Sequence, residues 1–329
     1  MDNFIVTETA VESKTQTLVV STYDEAFEQW LLEKDRSERT ARLYMTGLRD
    51  FREWFERKTG DMLNPAMVTP LDVRSYRRYL TDDRKLKARS INSYLAAVRA
   101  FCRWAMDKGL AMGDPSSGIK GIEIEEQSPR WLSKQEQYAL LRAAQKEVQI
   151  GDLRAGGDKA APGYVWPRRD RAIVVLMLNT GLRLSEVAAL DMDDVMIRPR
   201  SGQVTVRMGK GRKTRMVRLN ADVREALDEW IATRPETDDA ALFLSQKGKA
   251  RLTARAIARR VAEVGTQAQL SVSPHMLRHS LAKNMVDEGI SLDQVGMALG
   301  HKSLDTTKRY TMPSVADMQI AMERVAWRD

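Results

Sequence analysis

Val204-Thr205-Val206-Arg207-Met208-Gly209-Lys210-Gly211-Arg212-Lys213-Thr214-Arg215-Met216-Val217-Arg218-Leu219 breaks the period of a chain that otherwise reads in helices. Val204, Val206 and Met208 alternate with Thr205 and Arg207, the two-residue period of a half-buried strand, and a second strand runs from Thr214 to Leu219. Gly209-Lys210-Gly211 joins them as a hairpin with a basic tip. A hairpin set among helices predicts a mainly α fold with a small antiparallel β-sheet.

Upstream of the hairpin, Ala172 to Leu178 is apolar on every side and predicts the middle of a central buried helix. Gly151 to Pro167 is rich in Gly, Ala and Pro and predicts a surface loop. Leu132-Ser133 opens a helix, with Glu136 at capping-box spacing. Downstream, helical patterns begin at Asn220, at Thr253, at Pro274 (ended by Gly289), at Leu292 after a Ser291/Gln294 capping box (ended by Gly300), and at Ser314.

The first third is helical from Ser21. Its second helix lines Ala41, Tyr44, Leu48, Phe51 and Phe55 into one buried stripe, and Arg39, Arg42, Thr46 and Arg49 fall roughly opposite. Thr69 is an N-cap, with Pro70 at the first helical position and Asp72 completing a box-like start. A fourth helix buries Ile91, Leu95, Val98 and Cys102 and displays Asn92, Arg99 and Arg103, with Arg89 a turn before them. Each stripe of arginines serves either ordinary solvation or a polyanion. Gly113-Asp114-Pro115-Ser116-Ser117-Gly118 then breaks the pattern, and Glu123 to Pro129 is acidic and polar. The organisation expected is a tail over residues 1–20, a helical domain over 21–115, a linker over 116–129 and a second domain over 130–329 with a C-terminal helix at 314–327.

The longest apolar run, Ala172 to Leu178, is far short of the roughly 20 residues that span a bilayer, so no transmembrane helix is expected. Met1-Asp2-Asn3, with Glu8 and Glu12 following, lacks the basic start and apolar stretch of a secretory signal, and a cytoplasmic protein is expected. Cys102 is the only cysteine, which excludes a disulfide within the chain and suggests a buried thiol. The charge is uneven. Residues 1–115 hold 19 Lys and Arg against 18 Asp and Glu, leaving 34 against 27 in the rest out of totals of 53 and 45. Val195 to Leu219 carries eight basic residues and Lys247 to Arg260 six, neither with an acid, a density that favours a polyanion partner.

Several fragments carry chemistry. Arg183 follows Thr180-Gly181-Leu182, where glycine permits a tight backbone, and Glu186 three residues later can reach back to orient the guanidinium if a helix starts near Leu184. His275 and Arg278, three apart at a helix start, share a face. His275 and His279 also have helical metal-ligand spacing, but no third ligand is obvious and Arg278 between them opposes a dication, so no metal is expected. Gly209-Lys210-Gly211 lacks the upstream glycine spacing and following Ser/Thr of a nucleotide phosphate loop. Asp191, Asp193 and Asp194 could suggest a two-metal nuclease, but nothing else acidic converges on them, and a structural role at a helix-to-strand corner is expected.

In order along the chain, Thr180-Gly181-Leu182-Arg183, Gly209-Lys210-Gly211, His275-x-x-Arg278, Leu299-Gly300-His301 and Tyr310 resemble the catalytic set of the tyrosine recombinases, the family of phage integrases and Xer-type resolvases. The resemblance runs from about residue 22 to the end. It implies a helical core-binding domain of the SAM-like kind followed by a catalytic domain, the two forming a clamp on duplex DNA. It singles out Lys210 from its neighbours Arg212 and Lys213, which become DNA-binding candidates with Arg39, Arg42, Arg49, Arg89, Arg99 and Arg103. It implies that Tyr310 attacks a phosphodiester to give a 3′-phosphotyrosyl intermediate, with Arg183, His275, Arg278 and His301 stabilising the phosphorus centre and Lys210 protonating the leaving oxygen. No metal or nucleotide cofactor is implied. The implied partners are double-stranded DNA with specific core sites and three further copies of the chain, exchanging C-terminal helices in a tetramer. The implied setting is the nucleoid, with no membrane. By the same resemblance, the stretch from Gly151 to Pro167 is longer than the usual connection. Alternatives are a type IB topoisomerase that only relaxes DNA, a DNA-binding regulator using a helix-turn-helix-like segment from Ser291 to Tyr310, and a recombination accessory protein with a dead site.

Overall fold

The computed structural model describes residues 23–34, 36–124, 130–207, 214–300, 322–323 and 325. The chain forms two compact units that divide between Glu126 and Gln127. Among the described residues no helix is long and apolar enough to cross a membrane.

Among the described residues the first unit contains the α-helices α1 (residues 23–33), α2 (Glu38–Thr59), α3 (Pro70–Arg78) and α4 (Ala88–Asp107). Local chemistry sets their ends. Ser37 caps α2 by accepting from the Thr40 N–H, Gly60 ends it at φ 80°, and Thr69 and Asp72 form a reciprocal capping box at α3. The core is aromatic: Phe27, Phe51, Tyr76, Phe101 and Trp104 are almost fully buried, with Phe51 and Tyr76 rings edge-on at 4.9 Å. A Cβ on Gly47 would lie 2.5 Å from the Ala97 Cβ, so glycine is what lets α2 and α4 cross this closely. Cys102 is buried among these groups, and burial pushes its thiol up to about 12.

The unit does not stop at residue 115. The chain after α4 turns back and runs along it. Asn92 Nδ2 donates to the Ile122 carbonyl at 2.8 Å while its Oδ1 accepts from the Ile122 N–H at 2.7 Å, and Arg99 Nη2 donates to the Ile119 carbonyl at 2.6 Å. Ser116 and Ile119 are buried in the same unit.

The second unit contains α5 (Lys134–Ala155), α6 (Pro162–Thr180), α7 (Leu184–Ala189), the strands β1 (Val195–Arg198), β2 (Ser201–Val206) and β3 (Arg215–Arg218), then α8 (Ala221–Thr233), α9 (Ala254–Gln267), α10 (Pro274–Asp287) and α11 (Leu292–Leu299). α6 is the central helix, with every side chain from Ala172 to Leu178 buried. The three strands form an antiparallel sheet in the order β1-β2-β3, and Val204 pairs with Val217 and Val206 with Arg215. β1 is an addition to the expected hairpin. Its Val195-Met196-Ile197 is an unbroken apolar run without the alternation that marks a strand.

The stretch from Gly151 to Pro167 is mostly helical, not the expected surface loop. α5 continues to Ala155 and α6 starts at Pro162, so only residues 156–161 connect them. The glycines and prolines serve helix packing. A Cβ on Gly151 would lie 2.0 Å from the Gly163 carbonyl oxygen, so the two helices meet backbone to backbone. Pro162 occupies the first turn of α6, where a missing N–H costs nothing, and Pro167 leaves the Gly163 carbonyl without its usual helical donor.

Candidate active site

α6 ends at Gly181, whose φ of 61° closes the helix and returns its N–H to the Met177 carbonyl. Arg183 is the N-cap of α7, and Glu186 stands at the third helical position. A guanidinium has no acceptor, so only the glutamate half of a capping box forms here, with the Arg183 N–H donating to Glu186 Oε2 at 2.7 Å. Glu186 Oε1 also accepts from Arg183 Nη1 at 3.0 Å.

Arg278 lies on the buried side of α10 and His275 on its exposed side. The Arg278 guanidinium donates through Nη1 to the Gly181 carbonyl and through Nη2 to the Leu299 carbonyl, the latter at 2.7 Å. Arg183 Nη2 donates to the Gly300 carbonyl at 2.7 Å. Three distant motifs, the α6–α7 turn, the start of α10 and the end of α11, therefore converge through two arginines. Glycine is required on both sides. A Cβ on Gly181 would lie 2.5 Å from Leu299 Cδ2, and one on Gly300, whose φ is 66°, would lie 3.3 Å from the Arg215 guanidinium.

No motif in the sequence marks Arg215. It forks onto the same carboxylate, Nη1 to Glu186 Oε1 and Nη2 to Glu186 Oε2, each at 2.8 Å. Burial alone would raise the Glu186 carboxyl. The Arg215 fork, the Arg183 N–H and the two positive charges outweigh burial and hold it below the usual carboxylate range. The available signal was register: in Arg215-Met216-Val217-Arg218 the cation shares the inner face with Val217, opposite buried Val206.

Lys210, Arg212 and Lys213 lie within residues 208–213, and His301 and Tyr310 within 301–321, outside the described residues. The rings of His275 and His279 stack with centroids 6.4 Å apart. Among the described residues no group of three or more His, Cys, Asp or Glu is placed to hold a metal ion. Asp191 and Asp194 sit at the corner between α7 and β1. Asp194 Oδ2 accepts the Asp191 N–H at 2.9 Å, Arg251 donates through Nη2 to Asp191 Oδ1 and through Nη1 to the Ala188 and Leu190 carbonyls, and Arg207 Nε stands 2.6 Å from Asp194 Oδ1 as an ion pair.

Of the arginine stripes, Arg39, Arg42, Arg49, Arg89 and Arg103 are exposed, and Arg42 pairs loosely with Glu38 at 3.4 Å. Arg99 and Asn92 are not displayed as expected. Both are half-buried because the returning chain at residues 119–122 covers that part of α4 and takes their hydrogen bonds.

A helical unit followed by a helical unit with a three-stranded sheet and two interlocked arginines is an architecture of the integrase type. Residues 159–316 match the phage integrase family and residues 25–109 match the phage integrase N-terminal SAM-like domain. The chain belongs to the tyrosine recombinase (phage integrase) family, whose members are site-specific recombinases that cleave and rejoin DNA. It is XerC-like: the tyrosine recombinase XerC of Myxococcus xanthus is 32% identical over 297 residues, covering 87% of this chain and 91% of that protein. The fold is shared with the XerH site-specific recombinase bound to palindromic difH substrate in a post-cleavage complex, with a TM-score of 0.68, 22% identity and coverage of 88% of this chain and 80% of the other. It is also shared with a lambda integrase(75-356) dimer bound to a COC' core site, with a TM-score of 0.64, 15% identity and coverage of 94% and 98%.

Proposed function

We propose that this recombinase cleaves each strand through Tyr310, giving a 3′-phosphotyrosyl bond and a free 5′-hydroxyl. The observation that carries this reading is the interlock of Arg183 and Arg278 through Gly181, Leu299 and Gly300. Two guanidiniums fixed by backbone carbonyls suit the two non-bridging oxygens of a phosphodiester, whose charge grows as a fifth oxygen attacks. The phenol oxygen of Tyr310 forms the new bond to phosphorus, and the bond to the 5′-oxygen breaks. Lys210 supplies the proton that oxygen needs. An unperturbed phenol, of pKa about 10, is ionised only to about one part in a thousand at neutral pH, so its proton leaves towards His301 or water as attack proceeds. His275 adds a further hydrogen-bond donor to the clamp. The phosphotyrosine retains the bond energy, and a 5′-hydroxyl from a second duplex reverses the step to join new partners. No metal or nucleotide takes part in this scheme. The test is incubation with a nicked site that loses its 5′-hydroxyl fragment, which should trap a covalent protein–DNA adduct.

The substrate is double-stranded DNA bearing specific core sites, in the nucleoid of the cytoplasm, and the acting form is a tetramer of this chain. XerH bound to its difH substrate and lambda integrase bound to a COC' core site support DNA cores as the substrate class. Duplex binding should fall steeply with salt, by about 0.9 in double-logarithmic slope for each phosphate neutralised. Arg42→Ala with Arg103→Ala should lower that slope without changing the circular dichroism, since both side chains are exposed. An unchanged slope would remove these arginines from the interface.

The segment Val315 to Trp327 places Val315, Met318, Met322, Val325 and Ala326 on one side at helical spacing. In the tetramer this strip docks on a neighbouring copy and links the state of one subunit to the next. Truncation after Ser314 should spare binding to one site and abolish the pairing of two. Normal recombination by the truncated chain would sink the exchange.

A further inference from the structure

Glu186 is the most crowded carboxylate near the proposed chemistry. Its two oxygens offer about four lone-pair directions, and four donors fill them: the Arg183 N–H at 2.7 Å, Arg183 Nη1 at 3.0 Å and the two Arg215 terminal nitrogens at 2.8 Å each. Side-chain exposure is unequal, at 37% for Arg183, 16% for Arg215 and 12% for Glu186. Arg183 alone of the three therefore has room to meet a substrate.

We propose that Arg215 is a positioning residue for strand cleavage, which occupies half of the Glu186 carboxylate and thereby keeps the Arg183 guanidinium from closing on it. The proposal rests on the reading of Arg183 as a phosphate clamp. With Arg215 in place, Arg183 gives Glu186 a single side-chain donor and spends another on the Gly300 carbonyl. Its remaining N–H groups make no hydrogen bond among the described residues and are available to a phosphate. The Arg183–Glu186–Arg215 trio carries one positive charge in excess. Without Arg215, two acceptor directions open on Glu186, and a guanidinium takes a carboxylate most favourably as a two-pronged fork. Arg183 would swing into that fork, leave Gly300 and present no excess charge to the substrate.

Two further features fit a residue held for position. Among the described residues, buried Arg215 Nε has no hydrogen-bond partner, so nothing at that atom rewards the place the side chain occupies. Strand register puts it there, opposite buried Val206. Its guanidinium also lies against Gly300, the residue whose carbonyl Arg183 grips, in space that any Cβ would crowd at 3.3 Å. Arg215 thus borders both anchors of Arg183.

The test compares the full-length chain with Arg215→Gln, Arg215→Lys, Arg183→Ala and the double variant Arg183→Ala/Arg215→Gln. Each is given nicked sites carrying either a native scissile phosphate or a methylphosphonate, which lacks one charged oxygen. Thermal melting and duplex affinity report folding. Arg215→Gln should cleave native phosphate about 10- to 100-fold more slowly, and the deficit should shrink on methylphosphonate, which asks less of Arg183. The double variant should be no slower than Arg183→Ala, because Arg215 acts through that residue. Arg215→Lys, which keeps the charge without the fork, should fall between and serves if the glutamine variant melts early. An equal deficit on both substrates, or additive losses in the double variant, would show that Arg215 is only structural. Wild-type cleavage of native phosphate by Arg183→Ala would instead overturn the reading of Arg183, and this proposal with it.

Discussion

Tyr310→Phe should bind its site as the parent chain does, within about twofold, and form no covalent adduct. The change removes one oxygen and keeps the ring, so packing and the phosphate contacts made by basic residues are retained. Chemistry has no substitute for that oxygen. Water could in principle attack, but it would leave a free 3′-phosphate rather than a protein–DNA bond, and it would lack the proximity that makes an enzyme-borne nucleophile effective. The expected fall in adduct formation is therefore at least about 10⁴-fold, the scale seen when a nucleophile is deleted. Denaturing electrophoresis of a nicked, labelled site measures it directly, since only a covalent species retains the label at the protein's mobility. Persistence of the adduct would mean that another hydroxyl is the nucleophile.

What the sequence disclosed was local. The boxes at Thr69/Asp72, Ser133/Glu136 and Ser291/Gln294 are complete within four residues, and all three form. The reach of Glu186 back to Arg183 is local in the same way, because a short helix starting at Leu184 sets their separation. Non-local features were not legible. Gly151 looks like loop chemistry until it is set against Gly163, and its reason is the close crossing of α5 and α6. Arg99 belongs to an amphipathic stripe, but periodicity reports only which face avoids the core. It does not report that residues 119–122 come back to cover that face. Arg215 looks like one more cation in a basic stretch. Its partnership with Glu186 exists only because strand pairing turns it inward beside the end of α11.

The two arginines and Lys210 should separate by substrate, because they are proposed to act on different oxygens of one phosphodiester. Lys210→Ala removes the proton for the leaving 5′-oxygen. Replacing that bridging oxygen with sulfur supplies a leaving group that needs no general acid, so cleavage should return towards the parent rate. Arg183→Ala and Arg278→Ala should gain nothing from sulfur, since charge on the non-bridging oxygens is unchanged, and each should remain about 10²- to 10³-fold slow. Arg278→Ala carries a further penalty. The side chain is buried and donates to the carbonyls of Gly181 and Leu299, and each carbonyl left unpaired costs about 1–3 kcal/mol of stability. Arg278→Lys keeps a charge but cannot serve two carbonyls and a phosphate with one ammonium, so it should also stay slow on both substrates. Melting temperatures divide the folding loss from the chemical one, because Lys210→Ala should melt like the parent while Arg278→Ala melts earlier. Sulfur rescue of either arginine variant without rescue of Lys210→Ala would show that the acid and the clamp have been assigned the wrong way round.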